Sequence, residues 1–311
     1  MEQPADTRIY PSLQDLLLLR SEADCFNFLT RRRVRSSLTG NLRSAIKGRG
    51  LDFQEIRHYR PGDDIRLIDW RATMRTGHAQ VRTFTDERDL PVIILLDLRA
   101  DMFFGSARHT KSAIAILLAG LITWHTVTTG DRIGAVVLGP DSLLEMAPNR
   151  AQQASLRLLR QFVTAGRQLD IQSPPDPEGA ALDRAVAITE RLITHDHTIV
   201  LISDFSNLQS GTALRLGKMT AHNQVFALHV QDPLERDLKP TGTVTASNGT
   251  ERLTIDLSSP NVRQAFALRQ QKRQTEITGD LQTKGINVLS VDTAQPVTAQ
   301  IRRFGMAMTG P

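Results

Sequence analysis

Apolar residues occur along the chain in short continuous runs that alternate with longer stretches of helical periodicity. Runs rich in β-branched residues lie at 92–96, 198–202 and 225–230, as expected for strands covered on both faces. Helical patterns lie between them, including 111–126 and 180–192. Because strands that alternate with helices pair in parallel through right-handed crossovers, the pattern predicts an α/β protein with a doubly wound, largely parallel sheet.

The two ends of the chain show other patterns. Apolar residues within 12–30 are spaced for one face of an amphipathic helix, and Asn248-Gly249 marks a hairpin between two short strands. We therefore predict a core flanked by a smaller β-containing companion region, which the N- and C-terminal segments form. The C-terminal segment, a hairpin, a charged helix and a last strand–helix unit, is expected to pack partly on the core. The three predicted segments are 1–90, 91–232 and 233–311.

The composition indicates a folded, water-soluble chain. Of 311 residues, 40% are hydrophobic and 23% are charged, which allows a packed core. Cys25 is the only cysteine, so no internal disulfide can form and cysteine-based zinc motifs are excluded. The longest apolar run, 113–122, reaches about 15 Å as a helix, half of a membrane's hydrocarbon thickness. With no signal-peptide pattern in 1–10, the sequence predicts a cytoplasmic protein without a membrane span.

Positive charge is concentrated in one stretch. The net charge is +5, and residues 31–49 contain seven arginines and lysines and no acidic residue. Such a run could bind the phosphates of a nucleic acid. It could equally form a solvated face or a docking surface for an acidic protein. We favour the last two interpretations and expect no nucleic-acid partner.

Two acidic residues follow predicted buried strands. Asp97 comes directly after 92–96, and Asp204 closely follows 198–202. Ligands of open parallel sheets bind at the carboxyl ends of the strands, so both carboxylates are expected at the same edge. Two carboxylates there can hold a hard divalent cation such as magnesium. Alternatively, each carboxylate caps the N-terminus of a helix.

Common catalytic signatures are missing from the sequence. It contains no GxxxxGK[ST] phosphate loop, no GxGxxG motif after a strand, no GxSxG elbow and no HExxH. We therefore predict that the protein is not an enzyme.

The densest group of polar residues lies at 55–70, around the turn-forming pair at 61–62. One interpretation is a recognition surface in which arginine and tryptophan anchor a partner. The other is an internal, salt-bridged plug that keeps a segment with few apolar residues ordered. Both interpretations rest on the same residues, which are Arg57, Asp63, Asp64, Arg66, Asp69 and Trp70.

This segment resembles the signature of a bacterial family called domain of unknown function 58. The family pattern is close to G-x-x-F-x-x-x-R-x-Y-x-x-G-D-x-x-R-x-I-D-W, followed by R-x-G and a strand that ends in E-R. Lys111 and the stretches 130–134 and 232–235 also match, so the resemblance covers residues 40–305. The matching positions of the signature are Gly50, Phe53, Arg57, Tyr59, Gly62, Asp63, Arg66, Ile68, Asp69, Trp70, Arg75, Gly77, Glu87 and Arg88.

The resemblance implies a fold and a kind of function. The family's domain is von Willebrand factor A-like, and its members are commonly encoded beside MoxR-type AAA+ ATPases. They are thought to act with these ATPases as adaptors or chaperone-like factors. The resemblance therefore implies a non-enzymatic protein-interaction module whose partners are a MoxR-type AAA+ ATPase and other proteins of the same operon. Two alternatives stay open: a divalent-metal-dependent hydrolase, and a nucleic-acid-binding protein that uses 31–49.

The resemblance also implies a metal-ion-dependent adhesion site with a DxSxS loop, a threonine and a third-loop aspartate. Asp97 and Asp204 match the two aspartates, but Arg99 and Asp101 stand where the serines belong, and 179–181 holds no equivalent threonine. At 4 Å and an effective dielectric of about 20, a guanidinium would repel a divalent cation by about 8 kcal/mol. We expect a degenerate site without a cofactor, in which Arg99 pairs with one of the three aspartates and joins the interaction surface. The alternative is magnesium bound by the same aspartates.

Overall fold

A computed structural model shows the described residues in two compact units. One unit comprises Met1–Leu29 and Leu90–Pro311, and the other comprises Thr30–Asp89. Residues of all three predicted segments contribute to the first unit. The structure describes residues 6–26, 51–86, 90–176, 178–236, 243–247, 252–256 and 259–308.

The strands of the described residues form one six-stranded sheet and two small antiparallel pairs. The strands are β1 (Leu51–His58), β2 (Gln80–Asp86), β3 (Val92–Asp97), β4 (Arg132–Leu138), β5 (Leu143–Arg150), β6 (Thr198–Ser203), β7 (Gln224–Gln231), β8 (Thr243–Ser247), β9 (Arg252–Asp256) and β10 (Asn287–Asp292). β3, β6 and β7 lie at the three apolar runs that predict buried strands.

The helix at 111–129 begins and ends at ordinary sequence signals. The Thr110 hydroxyl caps the longest core helix, and Gly130 ends it in the left-handed conformation with φ +79°. Short 3-10 helices occupy Leu19–Phe26, Ile65–Leu67 and Ala100–Met102. The α-helices are α1 (Leu13–Leu18), α2 (Trp70–Thr76), α3 (Lys111–Thr129), α4 (Ala151–Gln168), α5 (Ala180–Leu192), α6 (Ser210–Met219), α7 (Pro233–Arg236), α8 (Pro260–Thr283) and α9 (Val297–Met308).

The main sheet has the strand order β10-β7-β6-β3-β4-β5. All neighbouring strands are parallel except β4 and β5, which form an antiparallel edge. Every residue of β3 and β6 is buried, because helices cover both faces of the sheet. The predicted α/β class with a largely parallel sheet is confirmed.

Helix α3 forms the centre of the larger core. Most of its residues from Lys111 to Thr126 are buried. Among the described helices, α3 alone is long and apolar enough to cross a membrane, with a mean hydropathy of 1.5, yet 78% of this stretch is buried inside the protein. This burial agrees with the core helix that the sequence predicts at 113–122.

The N-terminal helical segment changes its geometry within the predicted helix at 12–30. After α1 the chain continues as a 3-10 helix to Phe26, and 27–30 lie outside the described residues. With three residues per turn, Ala23 and Phe26 face the same way, and both are buried in the larger core. The indole nitrogen of Trp124 donates to the carbonyl of Leu16 over 2.7 Å, which joins the segment to α3.

The C-terminal residues complete the main sheet. β10 pairs in parallel with β7 over its whole length and forms the edge opposite β5. Its following turn is tied to the core, because the Thr293 hydroxyl donates to Asp232 over 2.5 Å, and Asp232 also accepts from the Ser106 backbone over 2.9 Å. The predicted hairpin is present as the antiparallel pair β8–β9, while Asn248-Gly249 lie outside the described residues.

The smaller unit is built from β1, β2 and α2. The two strands are antiparallel, with a register irregularity between Phe53 and Glu55. The turn predicted at 61–62 is confirmed, and Gly62 has a φ of +104° that side-chain-bearing residues rarely adopt. Gly77 ends α2 in the left-handed conformation.

Candidate functional site

The rim at the carboxyl ends of the parallel strands brings the two predicted aspartates together. Asp97 is the last residue of β3, and Asp204 directly follows β6. β3 and β6 are neighbours in parallel register, with Leu96 paired to Ile202. Both carboxylates therefore leave the sheet at the same edge, as predicted.

Arg99 lies at this rim and is almost completely buried. Its Nε and Nη2 atoms donate to the two oxygens of Asp97 over 3.0 and 2.8 Å, and its Nη1 donates to Asp176 over 3.1 Å. The Ser203 hydroxyl donates to the same Asp97 carboxylate over 2.6 Å. Burial opposes the charge of Arg99, but Asp97, Asp204 and Asp176 together outweigh burial and raise the pKa of the guanidinium. Of the three aspartates that the sequence offers, Arg99 pairs with Asp97.

The loop before α5 supplies the second carboxylate for Arg99. Asp176 also accepts from the Ala181 backbone over 3.1 Å, which holds it against the start of α5. Gly179 has a φ of +66°, and a Cβ there would overlap the carbonyl oxygen of Asn207. This glycine therefore lets the loop approach the residues that follow β6.

Lys111, the first residue of α3, forms a second buried ion pair. Its ammonium donates to Asp204 and to Glu235, over 2.7 Å in each case, and its side chain is 3% exposed. Burial disfavours both charges of the Lys111–Asp204 pair, but their mutual attraction outweighs it. The pKa of Lys111 is raised and that of Asp204 is lowered.

Asp101 lies close to these pairs without joining them. It belongs to the 3-10 turn after β3, and its carboxylate accepts no hydrogen bond from the described part of the chain. Burial raises its pKa, and the negative charge of Asp204 raises it further. Arg99 and Lys111 oppose this shift without reversing it.

The rim residues do not fit a divalent cation between Asp97 and Asp204. A metal site needs carboxylate oxygens that are free to coordinate, whereas these carboxylates are held by Arg99 and Lys111. Within the described ranges, no three or more His, Cys, Asp or Glu side chains are grouped as metal ligands. The expectation of a site without a cofactor stays a prediction, which a calorimetric titration with Mg²⁺ can test.

A cleft of about 370 Å³ opens above the Lys111–Asp204 pair. Its floor contains Lys111 and Asp204, and its walls include Phe104 and Ile171, whose side chains are 39% and 65% exposed. It thus combines fixed charges at the bottom with apolar groups at the mouth. The remaining lining residues are Ala100, Asp101, Phe103, Asp170, Ser173, Pro175, Ser206, Asn207, Glu235 and Arg273.

A buried histidine next to the rim is expected to make stability depend on pH. Burial lowers the pKa of His229 to about 4. Because the unfolded chain binds a proton near pH 6.5 and the folded chain does not, stability is complete above pH 6.5 and falls as pH drops toward 4. We expect a loss of up to about 3 kcal/mol from this group, measured by urea unfolding at pH 7.0 and 4.5.

The variants His229→Asn and His195→Gln separate this effect from other titrations. His229→Asn should show a weaker dependence over the same pH range. His195 is 78% exposed at its side chain, so His195→Gln should behave like the wild type. Equal pH dependence in the wild type and His229→Asn would contradict the assignment.

Several rim residues are not among those that the sequence singles out. Asp176 lies in an irregular, proline-rich loop with no periodic signal. Lys111 and Glu235 match the family pattern but carry no assigned role. A usable signal does exist for Lys111, since a single charged residue opens an otherwise apolar helix and a charge buried there needs a partner.

The polar residues of the smaller unit divide into two groups. Arg57 pairs with Asp63 through two 2.8 Å contacts, which lower the pKa of Asp63. Asp69 accepts from the first backbone N–H groups of α2 and from Arg82, and these contacts lower its pKa. Asp64 caps the 3-10 turn that follows it, Ile65–Leu67.

The second group consists of Arg66 and Trp70. Arg66 and Trp70 are exposed, and 67% of Trp70 is accessible to solvent. The polar segment therefore contains internal ion pairs as well as side chains that face solvent.

Solved structures with some likeness to the chain are distant. The "conserved hypothetical protein BatB" from Bacteroides thetaiotaomicron has a TM-score of 0.41 and 17% identity, covering 71% of this chain and 100% of that one. An "uncharacterized membrane spanning protein" from Vibrio fischeri has a TM-score of 0.21 and 14% identity, covering 72% and 99%. Neither likeness carries an argument about function.

Sequence relatives are closer. The proteins named "Uncharacterized protein Rv1480" of Mycobacterium tuberculosis and "Uncharacterized protein Mb1516" of Mycobacterium bovis are each 30% identical over 271 residues, which make up 86% of this chain and 82% of theirs. The family described as "Protein of unknown function DUF58" matches residues 55–276. The chain therefore belongs to the DUF58 family.

Proposed function

We propose that this chain is a non-enzymatic protein-interaction module with a von Willebrand factor A-like fold. Its proposed partner is a MoxR-type AAA+ ATPase of the same operon, with which it acts in the cytoplasm as an adaptor or chaperone-like factor. The partner follows from family membership together with the resemblance of the signature segment. The binding role is supported by the rim of the main sheet.

The strand order supports the proposed fold. Counted from β3 as the first core strand, the sheet has the order 3-2-1-4-5-6 of doubly wound proteins, with its third strand antiparallel at the edge. Ligand sites of such sheets lie outside the carboxyl ends of the strands. The cleft above Asp204 lies at this position.

The observation that carries the proposal is the combination of the cleft with its fixed charges. Lys111 holds Asp204 and Glu235 through buried contacts, which makes the charged floor of the cleft rigid. The exposed Phe104 and Ile171 at the mouth can lose water when a partner docks, and such burial contributes about 25 cal/mol per Å² of apolar surface. A rigid floor below accessible apolar walls suits binding.

A metal-dependent hydrolase is less well supported by the same residues. That chemistry requires a metal-bound water and a base placed near it. Asp97 and Asp204 are instead paired with the side chains of Arg99 and Lys111. The basic stretch 31–49, on which nucleic-acid binding would depend, lies outside the described residues.

Exchanging the apolar walls of the cleft should weaken binding to the ATPase. In the double variant Phe104→Ala/Ile171→Ala, we expect affinity for the purified MoxR-type ATPase to fall by about 30-fold, since buried anchors of interfaces often contribute about 2 kcal/mol or more. Isothermal titration calorimetry with and without ATP measures the change. Leu156→Ala is the matched control, because Leu156 is 48% exposed on α4, outside the cleft lining.

The possible results test the proposed function and the proposed binding surface separately. A wild-type chain that does not bind the ATPase with or without ATP would exclude the proposed function. Equal binding by the wild type and the double variant would keep the function but remove the cleft as the binding surface.

A further inference from the structure

Helix α2 turns two large apolar side chains toward solvent. Trp70 and Met74 are 67% and 86% exposed, while Ala72 is 7% exposed. At about 100° per residue, positions 70 and 74 lie on one face of the helix, and position 72 lies on the opposite face. The helix is therefore anchored through Ala72, which leaves Trp70 and Met74 on the outer side.

Three arginines accompany this apolar pair. Arg66, Arg71 and Arg75 are exposed, and none forms an ion pair with a carboxylate of the described residues. Arg71 and Arg75 are spaced by one helical turn, so they form a basic row beside Trp70 and Met74. We call these five residues the α2 face.

The nearby described carboxylates form no ion pair with the arginines of the α2 face. Asp63 is bound by Arg57, and Asp69 is engaged by the first N–H groups of α2 and by Arg82. Asp64 accepts from the backbone of Arg66, within its own turn. The acidic side chains thus hold the unit together, and the arginines remain available for an external partner.

We propose that the α2 face is a docking surface for an acidic protein segment that carries apolar side chains. Tryptophan and arginine are the residues that dominate binding energy at interfaces, and charge complementarity selects an acidic partner. The basic stretch 31–49 of the chain itself has the same sign of charge and is disfavoured as the occupant. The α2 face belongs to the smaller unit and the rim cleft to the larger one, and this proposal does not depend on the proposed ATPase.

Tryptophan fluorescence of the full-length chain can test the proposal. The chain has two tryptophans, and Trp124 is only 6% exposed, so a blue shift on binding reports Trp70. The probe is the peptide DELDEFDE with blocked ends, titrated to about 1 mM. The controls are KKLKKFKK, which reverses the charge, and DESDESDE, which lacks the apolar residues.

We expect DELDEFDE to bind with a blue shift and to bind more weakly at high salt, while both control peptides fail to bind. Met74→Ala and the charge-reversed Arg71→Glu/Arg75→Glu should each lose at least about tenfold in affinity. Leu214→Ala and Arg160→Glu change exposed residues elsewhere and should bind like the wild type. Thermal unfolding confirms that each variant is folded.

Other results would overturn the proposal. These are no binding of DELDEFDE at 1 mM, equal binding of DESDESDE, or unchanged affinity in the folded Arg71→Glu/Arg75→Glu variant. A blue shift with vesicles of 30% phosphatidylserine but not with the peptide would assign the α2 face to a membrane surface instead. Since the rim cleft is intact in these variants, ATPase binding can be scored separately.

Discussion

Replacing Arg99 with methionine is expected to lower the free energy of unfolding by about 3–5 kcal/mol. The substitution keeps most of the side-chain volume but leaves Asp97 buried without a cation, and Asp176 loses the same partner. The cost is large because a buried carboxylate that loses its counter-ion keeps its desolvation penalty. Whole domains are stable by only about 5–15 kcal/mol, so this single change removes a large part of the total. Urea unfolding at pH 7 measures it.

Two further variants show whether the loss of stability comes from the buried ion pair. In Arg99→Met/Asp97→Asn the unpaired charge is absent, so part of the lost stability should return. Arg215 is the matched control, since it is 44% exposed and pairs with Asp183 and Glu190 at the surface. Arg215→Met should cost less than about 1 kcal/mol. A similarly small loss in Arg99→Met would show that the buried pair does not stabilise the rim.

Replacing Lys111 with methionine should cost a similar amount, about 3–5 kcal/mol at pH 7. Asp204 is 5% exposed, and without the ammonium it becomes a buried, uncompensated charge. Lys218→Met, at an exposed position of α6, should change stability by less than about 0.5 kcal/mol. The comparison of both variants by urea unfolding isolates the contribution of burial.

The pH dependence of Lys111→Met should be opposite to that of the wild-type pair. In the wild type the lowered pKa of Asp204 contributes stability above the unfolded value near 3.9, and this is lost as pH falls below it. In Lys111→Met, burial is expected to raise the pKa of Asp204 above the unfolded value. The folded variant then binds the extra proton, so its deficit should shrink as pH falls from 7 to 5. A deficit that grows on acidification would contradict this account.

Much of the fold is predictable from the sequence because its strands are buried on both faces. β3, β6 and β7 are continuous apolar runs, and such runs have few alternatives once helices separate them. The start of α3 at Lys111 agrees with the helical pattern that the sequence shows at 111–126. The N-terminal segment was harder, because an apolar stripe with spacings of three and four residues does not distinguish an α-helix from a continuing 3-10 helix.

The site is predictable only where it follows from the sheet. The sequence predicts that Asp97 and Asp204 lie together, because the carboxyl ends of neighbouring parallel strands share an edge. The partner Asp176 could not be found, since its place depends on a loop whose course is fixed by the positive φ of Gly179. The sequence also does not show which polar residues of 55–70 are internal and which face solvent. Asp69 and Trp70 are adjacent in sequence, yet Asp69 is buried and Trp70 is exposed.

The edge position of β10 bears on how the chain folds during its synthesis. β7 is apolar along most of its length and lies between β6 and β10 in the sheet. β10 is translated only after the 55 intervening residues 232–286. Until then β7 is an open edge that can pair with another chain. Closing such a distant parallel pair is slow. Nascent chains are therefore most prone to aggregate in the interval between translation of β7 and translation of β10.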